Sequence, residues 1–84
     1  MAQEILLTAA GIKELQEELE YLKVTGRQEI KEKIQVALSF GDLSENSEYD
    51  EARNDQGKLE ARISEIEGIL SIAKVIDEES LSTD

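Results

Sequence analysis

Two apolar series run away from a short central segment in mirror order, and this constrains the chain more than any other feature. Backwards from residue 41 the series reads Phe40, Ala37, Ile34, Ile30, Gly26, Leu22, Leu19, Leu15 and Ile12. Forwards it reads Tyr49, Ala52, Gln56, Leu59, Ile63, Ile66, Leu70, Ala73 and Ile76. Steps of three and four are the seam of a coiled coil. Taken in order, the paired residue numbers sum to 88, 89 or 90. A near-constant sum is the signature of two antiparallel helices in one hairpin. The expected fold is therefore all-α, a long antiparallel two-helix coiled-coil hairpin with an acidic tip. Its first helix covers about residues 9–40, its tip 41–46 and its second helix about 47–76, with 77–84 an acidic tail.

Thr8 is placed to cap the first helix through its hydroxyl. The seam weakens at Val24-Thr25-Gly26, where the steps become four, four and four. A glycine inside a helix costs about 1 kcal/mol relative to Ala, so this stretch reads as a bend or weak spot within one helix. On the second helix Arg53, Asp55, Lys58, Glu60, Arg62, Glu65 and Glu67 read as a solvated face of mixed sign. At the open end Ile69, Ile72, Val75 and Ile76 broaden the apolar surface, which suggests self-association or a missing neighbour there.

Composition narrows the chemistry. With no Cys and no His, the 84 residues offer no disulfide, no structural zinc and no His- or Cys-based catalysis. Twenty acids against nine bases give a net charge of −11, which repels free nucleic acid and anionic membranes. No apolar run approaches the ~20 residues of a membrane span, so the expected compartment is the cytoplasm.

The acids concentrate at the tip. Asp42, Glu45, Glu48, Asp50 and Glu51 fall between Phe40 and Ala52, with no base among them. Two readings of Asp42 and Glu45 stand side by side. Asp42-Leu43-Ser44-Glu45 has the spacing of a capping box at the start of the second helix. The same two carboxylates also suit Mg²⁺, which takes few protein ligands and keeps its waters. Phe40 and Tyr49 are expected to close the last seam layer.

Leu7-Thr8-Ala9-Ala10-Gly11, Leu15 through Lys23, Arg27, Gly41-Asp42-Leu43-Ser44-Glu45-Asn46, Glu48-Tyr49 and Ala52-Arg53 together resemble the N-terminal coiled coil of the bacterial Gre transcript cleavage factors, closest to the GreA branch. The resemblance spans residues 5 to 77, and its most specific part is the tip motif. It implies an auxiliary factor, not an enzyme, that enters the secondary channel of RNA polymerase. There it stimulates the polymerase to hydrolyse backtracked RNA. Asp42 and Glu45 then match the acids that help hold a second Mg²⁺ within the polymerase complex. Gly41, Leu43, Ser44, Asn46 and Tyr49 match tip-positioning residues, and Arg53 is a candidate RNA contact. Gln28 stands where the family commonly has Pro, and a globular C-terminal docking domain of the family is expected beyond this chain. A non-catalytic channel binder and a generic helical-hairpin interaction module are the alternatives.

Overall fold

The structure, a computed structural model, describes residues 5–42 and 45–76. Strand β1 (Ile5–Thr8) leads into α1 (Ala9–Tyr21), a π-helical turn (Leu22–Gly26) and α2 (Arg27–Leu38). After the tip, α3 (Ser47–Ile72) returns along the first arm and ends in β2 (Ala73–Ile76). The molecule is a rod, with extents of 63 × 28 × 16 Å. The antiparallel hairpin expected from the mirror order is what forms.

The first arm starts where its sequence says it should. Thr8 is extended, and its Oγ1 accepts from the Gly11 amide at 3.0 Å. The arm is one helix, as expected, and the weak spot at Gly26 is a π turn. The Arg27 amide donates to the Leu22 carbonyl, five residues back. Gly26 is buried there, and a Cβ on it would lie 2.9 Å from Leu59 Cδ1. The glycine thus admits a leucine of the opposite arm, which is why helix propensity is sacrificed at this position.

The core is thin. Ala37, Ala52, Ile63 and Ile66 are its buried apolar residues among those described. Burying each isoleucine contributes about 1.5–3 kcal/mol. The remaining seam residues, including Leu15, Leu19, Leu22, Ile30, Ile34 and Leu59, are half-buried because no third layer covers them.

Several expectations need correction. The first helix ends at Leu38 and the second at Ile72, not at residues 40 and 76. Ala73 turns extended, with ψ 143°, and β2 pairs in parallel with β1. Ile5 faces Ala73, Leu6 faces Lys74, Leu7 faces Val75 and Thr8 faces Ile76. Because the arms are antiparallel, a parallel pair requires the chain to turn back at one of the two helix ends. The base is therefore a small sheet carrying the exposed side chains of Leu6, Ile72 and Val75 around it, with Ile69 half-buried. Phe40 does not close the seam; it is 63% exposed. The expected acidic tail, 77–84, lies outside the described residues.

Candidate functional site at the hairpin tip

The tip is built by tightening one helix and capping the next. In the last turn of α2 the Ser39 amide donates to Gln35 and Val36 carbonyls at 3.2 and 3.1 Å. Phe40 and Gly41 amides donate three residues back, to Ala37 and Leu38, each at 3.1 Å. Such short-range bonds satisfy carbonyls that a helix end leaves open. Gly41 then takes φ +98°, a left-handed conformation that glycine adopts without strain and other residues do not.

Asn46, not Asp42, caps the returning helix. Its Oδ1 accepts from the Tyr49 amide at 3.1 Å, and its Nδ2 donates to the Ala37 carbonyl at 2.6 Å. One buried side chain therefore starts α3 and ties it to the end of α2. Ala37 and Ala52 are 1% and 0% exposed, so the arms meet through small side chains at this level. Tyr49 is half-buried beside them. The capping box expected from Asp42 and Glu45 is thus overturned: α3 begins at Ser47, four residues beyond where Asp42 would start it. Asn is as good an N-cap as Asp, and the Asp-x-x-Glu spacing concealed it in the sequence.

Asp42 and Glu45 are both exposed on the turn, and Leu43 and Ser44 between them lie outside the described residues. Glu48 and Asp50 occupy the first turn of α3, where the helix dipole favours negative charge. Among the described residues no group of three or more metal-ligating side chains is assembled. As donors, Asp42 and Glu45 fit the hard-oxygen preference of Mg²⁺, as a partial set that other ligands would complete. Arg53 is exposed and makes no ion pair among the described residues.

Below the tip, charges expected to be merely solvated cross-link the arms. Arg27 makes two 2.9 Å hydrogen bonds to Glu60, and Arg62 makes two of 2.8 Å to Glu18. Lys23 pairs with Glu67, and Lys33 with both Glu51 and Asp55. Arg62 also reaches Glu65 on its own helix. These residues flank the seam, where long side chains span between helices. The hydrogen bonds hold the Glu18, Glu60 and Asp55 carboxyls below their ordinary values. They raise Lys33, Arg27 and Arg62 correspondingly. A groove of about 310 Å³ lies along the shaft, with Ile30, Ile34 and Leu59 beside Arg27, Lys31 and Gln56. It opens where Gln56 replaces an apolar seam residue, away from the turn.

The result is a long helical hairpin with carboxylates on its turn and arms cross-linked by ion pairs. Residues 5–75 match the family described as transcription elongation factor, N-terminal, of the GreA and GreB type, and the chain belongs to that family. It is similar to the transcription elongation factor GreA of Clostridium acetobutylicum, with 63% identity over 86 residues, covering 100% of this chain and 54% of that protein. The GreA of Clostridium novyi is 57% identical over 83 residues, covering 99% of this chain and 52% of the relative. For Thermoanaerobacter pseudethanolicus GreA the identity is 56% over 84 residues, with 100% and 54% covered. The chain spans about half the length of the curated relatives it matches.

Proposed function

We propose that this chain is the coiled-coil arm of a bacterial transcription elongation factor that enters the secondary channel of RNA polymerase tip first. In this reading it stimulates the polymerase's own hydrolysis of backtracked RNA and is not itself an enzyme. One observation carries the proposal. The Asp42 and Glu45 carboxylates stand exposed on the turn of a 63 Å rod, while Asn46 caps the returning helix. The matched family and relatives support the same reading.

Within it, Asp42 and Glu45 hold a Mg²⁺ shared with the polymerase active site. When bound, that ion supplies charge that acidifies a water and steadies phosphoryl oxygens. Gly41 and Asn46 fix the path of the turn, with Leu43, Ser44 and Tyr49 shaping the tip and Arg53 contacting RNA. Docking to protein makes the net charge of −11 acceptable, since this role does not require the rod to bind free RNA. The setting is the bacterial cytoplasm; among the described residues no helix is long and apolar enough to cross a membrane.

The test is transcript cleavage in a stalled, backtracked elongation complex with excess of this chain and Mg²⁺. Wild type is expected to release short 3′ fragments. Asp42→Asn and Glu45→Gln are each expected to slow release by about 10²-fold, the scale of removing one preorganised group from a charged transition state. Undiminished cleavage by both variants would refute the assignment. Cleavage absent with wild type, together with competition against an intact relative, would favour a non-catalytic channel binder. No competition would leave a generic hairpin module. At the base, Ile69, Ile72, Val75 and Ile76 beside the strand pair are the proposed self-association surface. Sedimentation equilibrium should show a concentration-dependent dimer that Val75→Ser weakens.

A further inference from the structure

Phe40 lies outside the seam, while Asn46 is buried and bonded back to the Ala37 carbonyl. The backbone stays helical in character up to Phe40, whose amide donates to Ala37. Val36 lies four residues earlier, in the last turn of α2. Val36 is 59% exposed and Phe40 63% exposed. They form an exposed apolar pair on the neck of the rod, immediately before Gly41.

The tip that follows this pair is acidic, and its acids are exposed. From Phe40 to Ala52 the sequence carries Asp42, Glu45, Glu48, Asp50 and Glu51 and no base. An exposed apolar neck next to an anionic tip complements a protein surface whose apolar centre is edged by Lys and Arg. The same acids repel a phosphate backbone. Charge thus selects a protein surface over a nucleic acid as the occupant.

We infer that Val36 and Phe40 form a docking contact that seats the neck against an apolar protein surface edged by cations. This fixes the depth and orientation of the tip carboxylates. The inference rests on the proposed polymerase reading, and it specifies the surface the channel must offer. Phe40 is a positioning residue in this scheme, since it acts through the placement of Asp42 and Glu45.

Binding of this chain to bacterial RNA polymerase core enzyme, followed by fluorescence anisotropy of an N-terminal label, tests it. The variants are Val36→Ser with Phe40→Ser, Phe40→Leu, and Val24→Ser as a control. Val24 is 66% exposed at the π turn, well down the shaft. The double variant is expected to bind about tenfold more weakly, the scale of truncating an aromatic anchor. Phe40→Leu should recover most of the affinity, and Val24→Ser should change it less than about twofold. Far-UV circular dichroism should be unchanged in all, because none of these side chains is buried. Equal binding by the double variant overturns the inference, and so does an equal loss from Val24→Ser. Normal binding with a reduced yield of RNA fragments also overturns it, assigning Phe40 to stacking on a nucleobase. If the wild-type chain fails to bind polymerase, the functional proposal itself falls and the docking contact falls with it.

Discussion

Asn46 is the side chain on which the tip most depends, and its removal has a calculable cost. In Asn46→Ala two interactions vanish. Loss of the N-cap bond to the Tyr49 amide costs about 1 kcal/mol. Loss of the buried bond from Nδ2 to the Ala37 carbonyl costs about 1 kcal/mol more. The second figure stays at the low end because the Ala37 carbonyl still accepts from the Phe40 amide at 3.1 Å and is not orphaned. The sum is about 2 kcal/mol, a large part of the stability of so thin a core. For a domain of this size that corresponds to a fall in Tm of about 8–16 °C. Asn46→Asp separates the two bonds. It keeps an oxygen for the Tyr49 amide but sets a carboxylate against the Ala37 carbonyl, so it should lose at least the second contribution of about 1 kcal/mol. Thermal and urea melts followed at 222 nm are the assay. If Asn46→Ala melts within about 2 °C of wild type, corresponding to well under 1 kcal/mol, the cap-and-tie account is wrong. Wild-type stability in Asn46→Asp would show that the Ala37 bond contributes nothing.

Gly57 and Gly68 lie inside α3 with nothing within 4 Å of where a Cβ would sit, so Gly57→Ala and Gly68→Ala should each stabilise by about 1 kcal/mol in urea melts. Eleven residues apart on one helix, they should be additive within about 0.5 kcal/mol. Acid dependence should be non-monotonic. Lowering the pH from 7 towards the pI of about 4.3 removes the self-repulsion of a chain with net charge −11, and stability should hold or rise. The bridged carboxyls of Glu18, Glu60 and Asp55 have folded values below their ordinary 4.5, 4.5 and 3.8. Their contribution is present above those values and is lost as the pH falls through the folded ones. Tm should therefore peak between pH 4 and 6 (an order-of-magnitude window) and drop below it; a steady fall from pH 7 downwards would contradict this.

How much of this was legible before folding depends on which interactions are periodic. The hairpin followed from the mirror order of the apolar series, because burial of one helical stripe forces a repeat that the sequence must carry. Thr8 as a cap was legible for a similar reason: a hydroxyl before a helical pattern has one local partner, and it found it. The candidate acids were legible as residues on a turn, since Asp42 and Glu45 fall at the midpoint of the two series. The cap of the second helix was not. Asp42 and Asn46 are both capable caps, and the choice turned on Asn46 Nδ2 meeting a carbonyl of the other arm.

What the sequence by itself determined is the rod: its two arms, their antiparallel sense, the location of the turn and the acidic charge upon it. These are properties of spacing and composition, and they follow without knowledge of any distance. Tertiary structure alone decided the rest. The surplus residue in the first arm, visible as pair sums rising from mostly 88 to mostly 89 across Leu22–Gly26, became a π turn because Leu59 packs into the space left by Gly26. Apolar residues at both ends of the chain became a parallel strand pair because the hairpin brings them together at its base. The flanking charges became cross-links once the arms lay side by side. Phe40 stayed exposed, past the end of α2, while Asn46 became the buried tie to the other arm. Each of these is a contact between residues distant in the chain or across its turn, and local periodicity carries no record of such contacts.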